Sequence, residues 1–157
     1  MSKILIAITT ALALSSANIN AAETECIDLG GVAIPNFFPE GEGKPIIISA
    51  SLIGSATNAA GKITGQKKTD TGLEMQMEHY FGTQQGGSVY TNDIGVLTAV
   101  PSKPGRFMIE ITYDIQEGKG RGHLKGYKGQ FRSYGLVDLR DENNMQGLVR
   151  YSGKICK

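Results

Sequence analysis

Along Leu73–Phe81 apolar and polar residues take turns. Leu73, Met75, Met77, His79 and Phe81 share one parity, and Glu74, Gln76, Glu78 and Tyr80 the other. Arg106–Ile115 repeats the pattern. Phe107, Ile109, Ile111, Tyr113 and Ile115 stand against Arg106, Met108, Glu110, Thr112 and Asp114. Near the end, Val149, Tyr151, Gly153 and Ile155 stand against Arg150, Ser152 and Lys154. A period of two marks a strand with one buried and one wet face. No stretch beyond the first 22 residues sustains a capped 3.6-residue period. The pattern predicts strands at Asp28–Ile34, Pro45–Ala56, Lys62–Lys68, Leu73–Phe81, Ser88–Thr91, Ile94–Val100, Arg106–Ile115, Gln130–Leu139 and Leu148–Cys156. Turn residues separate them at Gly41–Gly43, Gly72, Gly82–Gly87, Pro101–Gly105 and Asp141–Gly147. Asn36–Pro45 reads as a loop. Such spacing predicts an all-β fold, a single antiparallel β-barrel of about eight strands. The charged outer faces reverse the apolar exterior of an outer-membrane barrel, so no membrane span is expected.

The first residues read differently. Lys3 precedes the eleven apolar or small residues Ile4–Leu14, and the small residues Ser15–Ala22 follow. This is the order of a secretory signal, and the run is too short to span a bilayer. Residues 1–22 are assigned to a signal peptide and 23–157 to the barrel, with cleavage after Ala21 or Ala22. Glu-Thr-Glu before Cys26 is not a lipoprotein processing site. The expected location is outside the cytoplasm, periplasmic or secreted, in a bacterium.

Export changes the reading of the two cysteines. Cys26 sits just inside the mature N-terminus and Cys156 is the penultimate residue. In an oxidising compartment they most simply form one disulfide. Free thiols or one intermolecular bridge are the alternatives. An end-to-end bridge requires the first and last strands to be adjacent, as in a closed barrel. Two cysteines and two histidines cannot make a four-cysteine or three-histidine zinc site within one chain. No metal or cofactor is expected. Without Lys3, 15 basic residues balance 15 acidic ones, which excludes the strong cationic field of a non-specific nucleic-acid binder.

Candidate chemistry lies inside the barrel. Gly118-Lys-Gly120-Arg-Gly122 lacks the third glycine at the required spacing and the βαβ setting of a dinucleotide loop. The basic run Lys119, Arg121, His123, Lys125 and Lys128 reads as a solvated turn. His79 shares its parity with two methionines and a phenylalanine, so it needs a buried partner. A hairpin with Phe81 opposite Gly87 sets His79 opposite Val89, Met77 opposite Thr91 and Met75 opposite Asp93. Thr91 is then diagonal to His79, and Asp93 lies beyond its direct reach. The inward polar set is His79, Thr91, Asp93, Tyr113 and Tyr151. These five could orient one small ligand in an apolar lumen, or be satisfied core residues.

A further pattern runs through the second half: His79-Tyr-Phe81, Gly86-Gly87, Thr91-Asn-Asp93, Leu97-Thr-Ala-Val-Pro101, Tyr113-Asp-Ile115, Gly118-Lys-Gly120-Arg121, Gly126–Gly129, Gly135-Leu-Val-Asp138 and Tyr151-Ser-Gly153-Lys-Ile-Cys156. Over Leu73–Cys156 this order resembles the allene oxide cyclase and dirigent-like barrels, a calycin-type superfamily with exported bacterial members. The resemblance implies the barrel, not an activity. That family often has an aromatic after its Gly-x-Gly-Arg turn, where this chain has Gly122. The family's catalytic residues do not map onto this sequence. Three functions remain open: a non-catalytic binder of a small apolar or aromatic ligand, an exported interaction protein working through its loops, and a cyclase- or isomerase-like enzyme guiding a reactive intermediate. The few polar groups in an apolar lumen put the binder first.

Overall fold

The computed structural model describes residues 24–157, so the expected signal peptide lies outside the described residues. Eight strands follow one another: β1 (Cys26–Pro39), β2 (Ile46–Gly54), β3 (Asn58–Thr69), β4 (Gly72–Gly82), β5 (Ser88–Ala99), β6 (Arg106–Ile115), β7 (Gln130–Asp138) and β8 (Met145–Cys156). Each pairs antiparallel with the next, and β8 returns to β1, so the sheet closes on itself with first and last strands adjacent. Closure leaves no unpaired edge. At the seam Cys26 faces Cys156, and the two form a disulfide across 130 residues of sequence. Among the described residues no helix is long and apolar enough to cross a membrane.

Alternation decides which side chains fill the interior. Met75, Met77, His79 and Phe81 from β4 are buried, as are Ile109, Ile111, Tyr113 and Ile115 from β6 and Val149, Tyr151 and Ile155 from β8. A one-residue slip would turn each of these sets to water, so the parity is strongly constrained.

Three local readings of the sequence need correction. Ser88–Thr91 and Ile94–Val100 are one strand: Asn92-Asp93 resembles a turn, but Asp93 stays in the ladder, paired with Met77 and Tyr113. Asn36–Pro39 belongs to β1 rather than to the following loop. The β1–β8 ladder is interrupted beside Pro35, which has no N–H to give. The β4–β5 hairpin is displaced by two residues from the expected register. Phe81 faces Val89, His79 faces Thr91 and Met77 faces Asp93. A shift of two preserves every side chain's face and changes its neighbours.

Candidate functional site

The two-residue shift brings Asp93 to the diagonal position beside His79. Their side chains meet through His79 Nδ1 and Asp93 Oδ2 at 2.6 Å, with 6% and 0% of the side chains exposed. This corrects the expectation that Asp93 lies out of reach. On the far side of the ring, β3 presents Gly61 opposite His79. A Cβ at position 61 would lie 2.4 Å from His79 Cδ2, so the imidazole occupies space that only glycine leaves free.

Asp93 has conflicting surroundings. Burial pushes its carboxyl above the ordinary value of 3.8, while the bond to His79 and the nearby Thr91 hydroxyl pull it back. Thr91 lies beside the carboxyl without a well-formed hydrogen bond to it. Thr91 Oγ1 and Asp93 Oδ1 find no partner among the described residues. Tyr113 bonds Ser133 through the two hydroxyls at 3.0 Å, and burial raises its phenol well above the usual range. At the surface, Asp138 goes the other way, held far below 3.8 by hydrogen bonds from Arg140 and Arg106.

The two shifts carry opposite signs for stability. The contribution of Asp138 is present above pH 3.8 and is lost as the pH falls through its lower native value. Asp93 holds its proton to a higher pH in the native chain than in the unfolded one. Its ionisation therefore weakens the fold as the pH rises from 3.8 through its native value. Carbon-detected NMR titration of the side-chain carboxyls is expected to show Asp93 changing above the ordinary aspartate range and Asp138 below it. A midpoint for Asp93 at or below 3.8 would contradict the burial described here.

Aromatic rings fill the space beside the His79–Asp93 pair. Tyr113 and Phe131 stack at 4.5 Å between centroids, and Phe81 meets both edge-on at 5.2 Å. His79 stands edge-on to Tyr113 at 5.5 Å. The mid-barrel space left between these groups is about 30 Å³, on the scale of one water molecule.

This septum separates two cups that share no lining residue. The larger, about 370 Å³, opens between the β2–β3 and β4–β5 turns. Its apolar lining includes Phe81, Val89, Leu124, Phe131 and Ile155, and its polar lining includes Thr83, Gln84, Gln85 and His123. Tyr151 reaches into it. The Ala56 N–H donates to Tyr151 Oη at 3.1 Å, and the phenol's own hydrogen has no acceptor among the described residues. The hydroxyl is seated against glycine, since a Cβ at Gly31 or Gly54 would come within 3 Å of it.

The β6–β7 connection forms a lid over this cup. Its short 3₁₀ turn, Gly122–Leu124, buries Leu124 against the barrel. Arg121 and Ser88 exchange two backbone hydrogen bonds, as do Lys128 and Cys156, and the Tyr127 hydroxyl donates to Glu25 at 2.7 Å. Gly122 has φ +59°, and a Cβ there would lie 2.5 Å from the Gly86 carbonyl oxygen. An aromatic side chain at this position would collide with the β4–β5 hairpin.

Of the five residues singled out from sequence, Tyr151 lines the large cup, and His79 and Tyr113 border the small central space. Thr91 is packed beside the pair, and Asp93 is joined to His79. Ser133, Phe131, Leu124 and His123 were missed. Ser133 and Phe131 share the inward parity of Val137 on β7, a signal present in the sequence. Leu124 and His123 lie in a glycine-punctuated loop without periodicity. Among the described residues no three His, Cys, Asp or Glu side chains are grouped to hold a metal ion. Compared with family models, curated proteins and solved structures, the chain matches none of the three.

Proposed function

We propose that this chain is an exported barrel that binds one small apolar or aromatic molecule, without catalysis, in the cup beneath the β6–β7 lid. The observation that carries this reading is the cup itself. It has about 370 Å³ of space and an aromatic floor, with polar groups such as Thr83, Gln84, Gln85 and His123 beside its apolar wall, within the size range of small-molecule sites. The free hydrogen of Tyr151 gives an acceptor on the ligand a fixed direction. Export rests on the signal-like first 22 residues and agrees with the Cys26–Cys156 bridge. The buried His79–Asp93 pair has the composition of a general-base couple. His79 borders an interior space of about 30 Å³ and the Asp93 side chain is fully buried, which favours a structural role over chemistry on a substrate.

A second reading has its own observation. Ile34, Leu136 and Leu148 line a shallow groove on the outer wall, and Met108 pairs with Leu136 beside it. These four side chains are 43–58% exposed, which suits an exported interaction protein.

Native mass spectrometry of the protein purified from its own source separates the two. The binder predicts a co-purifying small molecule, absent from a Val89→Trp variant that fills the cup. A bare chain mass together with a bound macromolecule would favour the interaction protein.

A further inference from the structure

The opposite end of the barrel holds a second cup of about 180 Å³. Its chemistry differs from that of the first. Met75, Leu97, Ile109 and Val137 form its buried wall, and Ile46, Leu73, Leu139 and Met145 stand half-buried around it. Gln66 is the one polar side chain in the lining, and no charged side chain is part of it. The apolar packing is left incomplete where water could reach it.

We infer that this end is a second, independent binding site, specific for a compact uncharged hydrocarbon such as a single unsubstituted or alkyl-substituted ring. Size is the first argument. An apolar cavity of roughly 150 Å³ is large enough to take up benzene. The second is the absence of hydrogen-bonding groups from the wall. A hydroxyl or carboxylate entering this cup would lose water and gain no partner from the buried residues, which makes such ligands weaker by roughly tenfold or more. The third is adaptability. Met75 and Met145 are unbranched and polarisable, so the wall can close around rings of different shape. Gly95 makes place for the Met75 tip, which a Cβ there would meet at 3.3 Å. The aromatic septum lies between this cup and the one under the lid, and the two share no lining residue.

The test uses toluene, phenol and benzoate as probes on the full mature chain with isotope-labelled methionine methyl groups. Toluene is expected to shift the Met75 and Met145 methyl signals in a saturable way. Phenol should act on them at least about tenfold more weakly, and benzoate not at all. Gln66 is exposed at the rim, so Gln66→Trp can obstruct the mouth without disturbing the core. It should abolish the toluene shifts and leave the Tyr151 end unaffected. Leu73→Trp, folded as judged by circular dichroism, should do the same. No saturable shift at Met75 or Met145 would overturn the inference, as would shifts confined to the residues of the lidded cup. Equal affinity for toluene and benzoate would overturn the ligand class.

Discussion

Replacing His79 with alanine is expected to lower the unfolding free energy by roughly 3–5 kcal/mol. Asp93 Oδ1 already lacks a partner among the described residues, and the substitution would take the partner of Oδ2 as well. A fully buried carboxyl would then keep only the Thr91 hydroxyl beside it among those residues. The lost ring also leaves a void against Phe81 and Tyr113, which adds to the loss. The double replacement His79→Leu, Asp93→Leu should cost much less than the sum of the two single changes, because it removes the buried charge along with its partner. Urea denaturation followed by circular dichroism measures both. A loss below about 1 kcal/mol for His79→Ala, or additive effects, would mean that the pair is not the coupled, buried unit described.

The second large effect belongs to the seam. In the double variant Cys26→Ser, Cys156→Ser the chain is expected to keep its β signature and lose roughly 4–5 kcal/mol. That is the chain-entropy value for a closed loop of this length. The melting temperature should fall by on the order of 10–20 °C. The barrel survives because its core is built from side chains of all eight strands. The lid should loosen as well, since Lys128 pairs with Cys156 and Lys157 with Glu25 at the same seam. Faster amide exchange at Lys128 and Cys156 would register this. A variant unfolded at room temperature would contradict the self-sufficient core. An unchanged melting temperature would contradict the role of the bridge.

Face was legible in the sequence, and neighbourhood was not. Alternation placed His79, Tyr113 and Tyr151 inward because a one-residue error exposes a whole apolar face. The terminal cysteines similarly constrained which strands meet. Register within a hairpin carries no such penalty, because a shift of two keeps the face. The β4–β5 turn was decided by local bonds: Thr83 N–H donates to the Gly87 carbonyl at 2.9 Å, and Gly87 N–H to the Thr83 hydroxyl at 3.0 Å. That closure sets Gly82 opposite Ser88 and so brings Asp93 to His79. The lid was hidden for another reason. Its buried residues, Leu124 and Tyr127, are separated by glycines and held by partners far along the chain, a pattern that alternation does not register.

On the proposed function, the lidded cup takes a small apolar ligand. Titration with a neutral naphthyl fluorescent probe tests this, with two blocking variants as mutual controls. Saturable one-to-one binding to the mature chain is expected. Val89→Trp at the buried wall and Gln85→Trp at the exposed rim should each weaken it at least about tenfold, and Gln66→Trp at the opposite end should leave it unchanged. Absence of saturable binding, or binding indifferent to both Val89→Trp and Gln85→Trp, would contradict the account.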